Sequence, residues 1–160
     1  MTAKGPTELV RAYAKEAAPL HSRGDRGPEQ LPSGEAILAL DDEGRAQAVV
    51  AAYAALPRGK PFKDGDYGKL IMLGLLITHL LRKRLPLRDR DLETMAEGAA
   101  RSHGPAWGPC DYDAALLKEL KGHERLSPRV RVALRELAAR RGTSCALDRR
   151  IHDKCLALAE

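Results

Sequence analysis

Basic side chains are the most prominent residues in this sequence that could bind a ligand. Residues 82–160 carry 17 Lys and Arg against 12 Asp and Glu, whereas residues 1–81 carry 10 of each, so the second half accounts for the net charge of +5. Such one-sided charge indicates an anionic partner: a nucleic acid, an acidic protein surface or an anionic membrane face. The alternative is an ordinary solvated surface, because the 18 Arg against 9 Lys are typical of a GC-rich bacterial genome.

The basic residues of the second half cluster in a turn at 82–90 and recur from Lys118 to Arg150, a stretch that includes Arg140 and Arg141. Arg131 and Arg135 are four residues apart on one helix face, where like charges repel, so an external anion is expected there. The single Trp107 lies in a loop, where an aromatic ring either anchors a partner or fills a gap between helices. The predicted partner- or anion-binding residues are Arg82, Lys83, Arg84, Arg88, Arg90, Trp107, Arg129, Arg131 and Arg135.

Two groups of Cys and His residues bear on metal binding and catalysis. Cys145, His152 and Cys155 are zinc-ligand types, but on one helix the first two lie about 10.5 Å apart along the axis. A packed Cys155 with a surface His152 is therefore the preferred interpretation. Cys110 with His103 resembles a nucleophile and its base, although the adjacent carboxylates oppose thiolate formation.

No motif in the chain indicates a cofactor. Neither GxxxxGK[ST] nor GxGxxG occurs, and no CxxC or HExxH is present, so we predict no metal and no cofactor. The odd number of three Cys and the charged first twenty residues argue against a secreted disulfide protein with a signal peptide. We therefore expect a cytoplasmic protein with no membrane partner. The sequence leaves the oligomeric state open.

The composition predicts an all-α fold with an aliphatic core. The 160 residues include 25 Ala and 24 Leu, the strongest helix formers, and only 4% are aromatic. Apolar periodicity and capping residues predict a single all-α domain over 1–160 with six to eight helices. The expected helices are 6–18, from Asp41 or Asp42 to Leu56, a central apolar 67–84 that Arg82, Lys83 and Arg84 terminate, about 89–103, 114–123, 128–141 and a last one capped by Ser144. Long loops are expected at 19–34 and at 104–113, the second containing Trp107.

Two segments share a common pattern. LPLRDRDLETMAEGAARSHG and LSPRVRVALRELAARRG each run from Leu and Pro through a capped turn and an amphipathic helix to Gly. With units of about 35–45 residues, residues 42–160 resemble the stacked helical hairpins of HEAT and armadillo repeats. A compact irregular bundle would give the same pattern, and the apolar helix at 67–84 favours it slightly.

These observations predict a non-catalytic binding module. A protein or peptide would dock between helical hairpins, with the turn at 82–90 and the basic region at 128–150 contributing. The alternative is sequence-independent nucleic-acid binding by the same Arg and Lys side chains. A third hypothesis is an enzyme built on Cys110 and His103.

Overall fold

The computed structural model of the protein describes residues 3–20, 27–58, 63–104 and 108–160. Within these ranges the chain forms eight α-helices and no strand, which confirms the predicted all-α fold of six to eight helices. The helices are α1 (Pro6–Ala17), α2 (Pro32–Leu38), α3 (Asp42–Ala54), α4 (Asp66–Leu80), α5 (Asp89–Arg101), α6 (Tyr112–Lys121), α7 (Pro128–Arg141) and α8 (Ala146–Ala159). No helix in the described ranges has the length and apolar character that crossing a membrane requires.

Local signals place most helix ends. Side chains of Asp41, Asp111 and Ser127 each accept a hydrogen bond from the backbone N–H three residues later, which satisfies one free donor of the first turn. Pro stands in the first turn of α1, α2 and α7, where its missing N–H is not needed. After α7, Gly142 has a φ of 73°, a conformation that ends a helix and that glycine adopts without strain.

Both predictions of a long loop are partly wrong. Residues Pro28–Gln30 form a 3-10 turn and α2 begins at Pro32, so the prolines of the first loop start helical segments. In the second loop, Gly108–Cys110 form a 3-10 turn and α6 begins at Tyr112. Residues 21–26 and 105–107, including Trp107, lie outside the described residues.

Two predicted helix ends also differ. The central helix α4 ends at Leu80, before Arg82, Lys83 and Arg84, so these cations follow the helix rather than occupying its last turn. The cap of α8 is Cys145, whose sulfur accepts the Asp148 N–H at 3.4 Å, and not Ser144.

The helices pack in two layers. One layer is formed by α1, α3, α5 and α7, each packed on the next, and the other by α4, α6 and α8. Consecutive helices of opposite layers pair as α3 with α4, α5 with α6 and α7 with α8. From α3 onward this is an arrangement of stacked helical hairpins, whereas at the N-terminal side α2 is short and α1 contacts α4 directly.

The core is mostly aliphatic, but its largest buried side chains are tyrosines. Tyr13, Tyr53 and Tyr112 are fully buried, contrary to the expectation of a purely aliphatic interior. Each hydroxyl is satisfied: Tyr13 donates to the carbonyl of Met72 at 2.6 Å, Tyr53 to that of Tyr112 at 2.7 Å, and Tyr112 Oη lies 2.8 Å from Ser102 Oγ. The three rings thus tie neighbouring helices together by polar as well as apolar contact.

Glycines allow very close approach between packed segments. Gly98 of α5 faces the backbone carbonyl of Tyr53 in α3, and Gly74 of α4 faces that of Cys110. A Cβ at either position would overlap the carbonyl oxygen. The close packing of α3 on α5 therefore depends on the absence of a side chain at residue 98.

We predict that Gly98→Ala destabilises the protein although alanine is the better helix former. The gain of about 1 kcal/mol in helix propensity is outweighed by the cost of moving a packed backbone, about 1–3 kcal/mol. Urea unfolding measures the difference. Gly122→Ala is the matched control, because its nearest neighbour would be 3.3 Å away, and a loss of stability no greater for Gly98→Ala than for this control would contradict the prediction.

Candidate binding surface

The basic turn at 82–90 divides into paired and unpaired cations. Lys83 Nζ lies 2.8 Å from Asp42 and Arg88 3.9 Å from Glu43, both at the start of α3. Arg82 and Arg84 form no ion pair within the described part of the chain, and both line a cavity between α4 and α6. Arg90 is exposed.

The predicted residues of α7 have different surroundings. Arg129 contacts Glu93 and Glu97 of α5, so its charge is balanced. Arg135 donates to the carbonyl of Ala159 at 3.0 Å, which satisfies an acceptor at the end of α8. Arg131 is partly exposed. Several of the predicted anion-binding cations therefore already have partners within the molecule.

Arg140 and Arg141, which the charge pattern assigned to the basic surface, are instead structural. The Arg141 side chain is 0% exposed and that of Arg140 is 14% exposed. A free cation at these sites would be prohibitively desolvated, so each must meet carboxylates. The surface assignment of these two residues is wrong.

The carboxylates come from the first turns of two other helices. Arg141 donates to Asp148 of α8 at 2.7 Å, to Asp113 of α6 at 2.9 Å and to both oxygens of Asp111, at 3.1 and 3.2 Å. Arg140 donates to the same Asp113 at 2.7 and 2.8 Å. The C-terminus of α7 thus meets the N-termini of α6 and α8, an arrangement in which the helix dipoles also favour these charges. We call these five residues the Arg–Asp cluster.

Burial and pairing act in opposite directions on the pKa values of this cluster. Burial raises the pKa of Asp113 more than the two arginines lower it. For Asp148, burial alone would raise the pKa, but hydrogen bonds from Cys145, Arg141 and Ser144 outweigh it and hold the pKa below its usual range. For Arg141, burial lowers the pKa but the carboxylates of Asp111 and Asp113 more than compensate, so it stays charged.

A groove of about 500 Å³ runs between α6 and α8. Its walls are mostly apolar, and three lysines stand among them. No acidic side chain is among the described residues that line it. They are Ala114, Leu117, Lys118, Lys121, Ile151, Lys154, Ala157 and Leu158.

A second cavity, of about 240 Å³, lies on the other side of α6, between α4 and α6. It is more polar, and Lys118 lines both spaces. Its remaining lining residues are Thr78, Leu81, Arg82, Arg84, Ala115, Glu119 and Gly122. Of the cations that line the two spaces, the sequence predicted only Arg82 and Arg84 as binding residues. It did not predict the groove, because Lys154 and the apolar walls come together only when α6 and α8 pack.

The cysteines occupy unlike environments. Cys155 is buried, and burial raises its pKa to about 12, whereas Cys145 is exposed at the start of α8. His152 lies 3.1 Å from Asp153. No cluster of three or more metal-ligand side chains occurs in the described ranges.

The two catalytic candidates, His103 and Cys110, are both buried. His103 Nε2 lies 3.2 Å from Asp66, and its side chain is 2% exposed. Cys110 is buried, with its backbone carbonyl against Gly74 of α4.

No family model matches this chain, and no curated protein and no solved structure is significantly similar to it. The function must therefore be argued from the surface itself.

We predict that Arg141→Met lowers the free energy of unfolding by about 3–5 kcal/mol, because it leaves buried carboxylates without their cation. Guanidinium chloride unfolding followed by circular dichroism measures the loss. The control is Arg150→Met on α8, an exposed arginine, which should change stability by less than about 0.5 kcal/mol. Equal effects of the two substitutions would show that the Arg–Asp cluster does not carry stability.

The lowered pKa of Asp148 predicts a pH dependence. A carboxyl whose pKa is depressed by folding contributes stability above its unfolded pKa, and this contribution is lost as the pH falls through the folded value. Stability should thus fall between about pH 5 and pH 2, and Asp148→Asn should flatten this part of the curve. Asp153→Asn, an exposed carboxyl of the same helix, should leave the slope unchanged. Urea unfolding across this pH range measures the free energy of unfolding of each variant. If its dependence on pH were the same in Asp148→Asn as in the wild type, the prediction would be wrong.

Proposed function

We propose that this chain is a non-catalytic protein-binding module whose α6–α8 groove takes an acidic, amphipathic helical segment of a partner protein. The observation that carries the proposal is the combination of apolar walls with a purely cationic set of charges in one groove. The apolar walls specify a partner with apolar side chains, and the lysines specify a partner with acidic ones.

The apolar walls support docking of aliphatic side chains. Leu117 and Ile151 are 4% and 2% exposed and form a floor, while Leu158 is only partly buried. The small side chains of Ala114 and Ala157 are exposed and leave room above this floor. A leucine-sized side chain that leaves water there would gain about 1.5–3 kcal/mol.

The lysines support an acidic partner. Lys118, Lys121 and Lys154 are exposed, and none forms an ion pair within the described residues. Charges at the edge of a binding groove select the partner and speed its association more than they add affinity. A segment with Asp or Glu beside its apolar residues would match this pattern.

The groove lies between two helices, which suits an added third helix. In this mode the ligand presents apolar side chains at i, i+3 or i+4, and i+7. The Arg–Asp cluster joins the first turns of α6 and α8 through Arg141, so the groove is formed before the partner arrives. A preformed groove avoids part of the ordering cost of binding.

Nucleic-acid binding remains the alternative, and the contacts of the basic residues support it less. Lys83, Arg88 and Arg129 are already paired with carboxylates. A labelled DNA duplex titrated at about 50 and about 200 mM salt separates the two functions, because phosphate-driven affinity falls steeply with salt. Micromolar binding with that salt dependence would favour the nucleic-acid function.

We predict that peptide selection finds this groove. A displayed random library of peptides of about 14 residues, four helical turns, is selected against the wild-type protein. Enriched peptides should combine helical apolar spacing with Asp or Glu. The double variant Lys121→Glu/Lys154→Glu should weaken their binding about tenfold in fluorescence anisotropy, because attraction becomes repulsion.

The control is Arg11→Glu/Lys15→Glu, which makes the same change in net charge on α1, a helix that packs on α2, α3 and α4. It should leave the affinity within about twofold, since charges farther away than a Debye length are screened. Failure to enrich any peptide, or equal weakening by both double variants, would refute the groove as the binding site.

A further inference from the structure

The cavity between α4 and α6 differs from the groove in its charge. Three cations line it, Arg82, Arg84 and Lys118, against one carboxylate, Glu119. That carboxylate already has a hydrogen-bonding neighbour, because Glu119 Oε2 lies 3.3 Å from Nε2 of His123. The cavity thus places an excess of positive charge around a solvent-open space of about 240 Å³.

The cations that line the cavity differ in their pairing from two of their neighbours in the 82–90 turn. Lys83, between Arg82 and Arg84 in sequence, pairs with Asp42, and Arg88 of the same turn pairs with Glu43. Arg82, Arg84 and Lys118 form no ion pair in the ranges that the structure describes. Lys83 and Arg88 are thus partly neutralised by α3, whereas the three cations of the cavity remain available to another anion.

The cavity adjoins the groove across a single helix. Lys118 of α6 lines both spaces, so the groove and the cavity lie on neighbouring faces of α6 with this side chain between them. A partner segment in the groove therefore lies beside the cavity.

We propose that the α4–α6 cavity binds a phosphorylated side chain on the same partner segment that docks in the α6–α8 groove. The proposal rests on the proposed function and specifies it further: the partner is a phosphoprotein, and phosphorylation strengthens its binding. A phosphate monoester carries about two negative charges at neutral pH and three acceptor oxygens. That charge and geometry match two guanidinium groups and one ammonium better than a single carboxylate does.

The alternative to phosphate binding is a purely structural role of the same cations, and the test distinguishes the two. The cavity lies beside the C-terminal ends of α4 and α6, where positive charge favours the helix dipole. If Arg82 and Arg84 served only this purpose, replacing them would lower stability without affecting the binding of any phosphate.

The first measurement is a titration of the full chain with O-phospho-L-serine, followed by amide chemical shifts. Expected are saturable shifts at Thr78, Lys118 and Gly122 that are lost in Arg82→Gln/Arg84→Gln. Lys83→Gln/Arg88→Gln is the matched control, since it removes the same charge from the same turn, and it should retain the shifts. Absence of shifts, or their persistence in Arg82→Gln/Arg84→Gln, would overturn the proposal.

The second measurement uses a peptide selected for the groove. Each acidic residue is replaced in turn by phosphoserine, and at least one phosphorylated form should bind about tenfold tighter than its parent. The gain should vanish in Arg82→Gln/Arg84→Gln, while the parent peptide binds that variant as it binds the wild type.

The outcomes distinguish the two proposals. Parent peptides that bind and respond to Lys121→Glu/Lys154→Glu, without any gain on phosphorylation, would leave the groove function standing and overturn the phosphate site. Phosphoserine binding equalled by inorganic phosphate, with no gain in any peptide, would identify a free-anion site and overturn the phosphoprotein partner. Phosphoserine binding with no peptide in the groove would refute the proposed function, and the phosphoprotein partner with it.

Discussion

The guanidinium of Arg141 sets the constraint on which the C-terminal half of the molecule depends. A fully buried guanidinium is tolerable only when several carboxylates surround it, and here they come from the starts of two different helices. Helices α6, α7 and α8 must therefore dock together, because any one of them alone would leave a buried charge unmatched. Arg140 connects α5 to the same cluster, because it donates a hydrogen bond to the carbonyl of Ala99 at 3.1 Å.

The same constraint accounts for the shape of the surface. Arg141 holds α6 and α8 at their N-terminal ends, and the groove opens between the sides of these two helices. On the opposite side of α6, Thr78 of α4 donates to the carbonyl of Pro109 at 2.6 Å, just before α6 begins. Helix α6 is thus fixed from both sides, and each side leaves one concave space with Lys118 between them.

The parts of this structure that local chemistry determines could be predicted from the sequence. Asp41, Ser127 and Gly142 mark helix ends because their preferences act within four residues, and α7 runs over the predicted 128–141. Local sequence preferences could not predict that the side chains of Arg140 and Arg141 are buried. Basic residues in the last turn of a helix are expected to be exposed to solvent. These two are buried because Asp111, Asp113 and Asp148 are brought to them by the packing of α6 and α8 on α7. The apolar walls of the groove depend on tertiary packing in the same way.

Cys145 gives the molecule a natural chemical handle. Of the three thiols, those of Cys110 and Cys155 are buried, so a maleimide reagent would label the folded native chain at one position without any engineering. That position caps α8 and contacts the N–H of Asp148, one turn from the buried guanidinium. A fluorophore there would stand at the junction of α7 and α8, where loosening of the helices would change its surroundings. The fold thus supplies its own attachment point for a spectroscopic reporter of its most constrained contact.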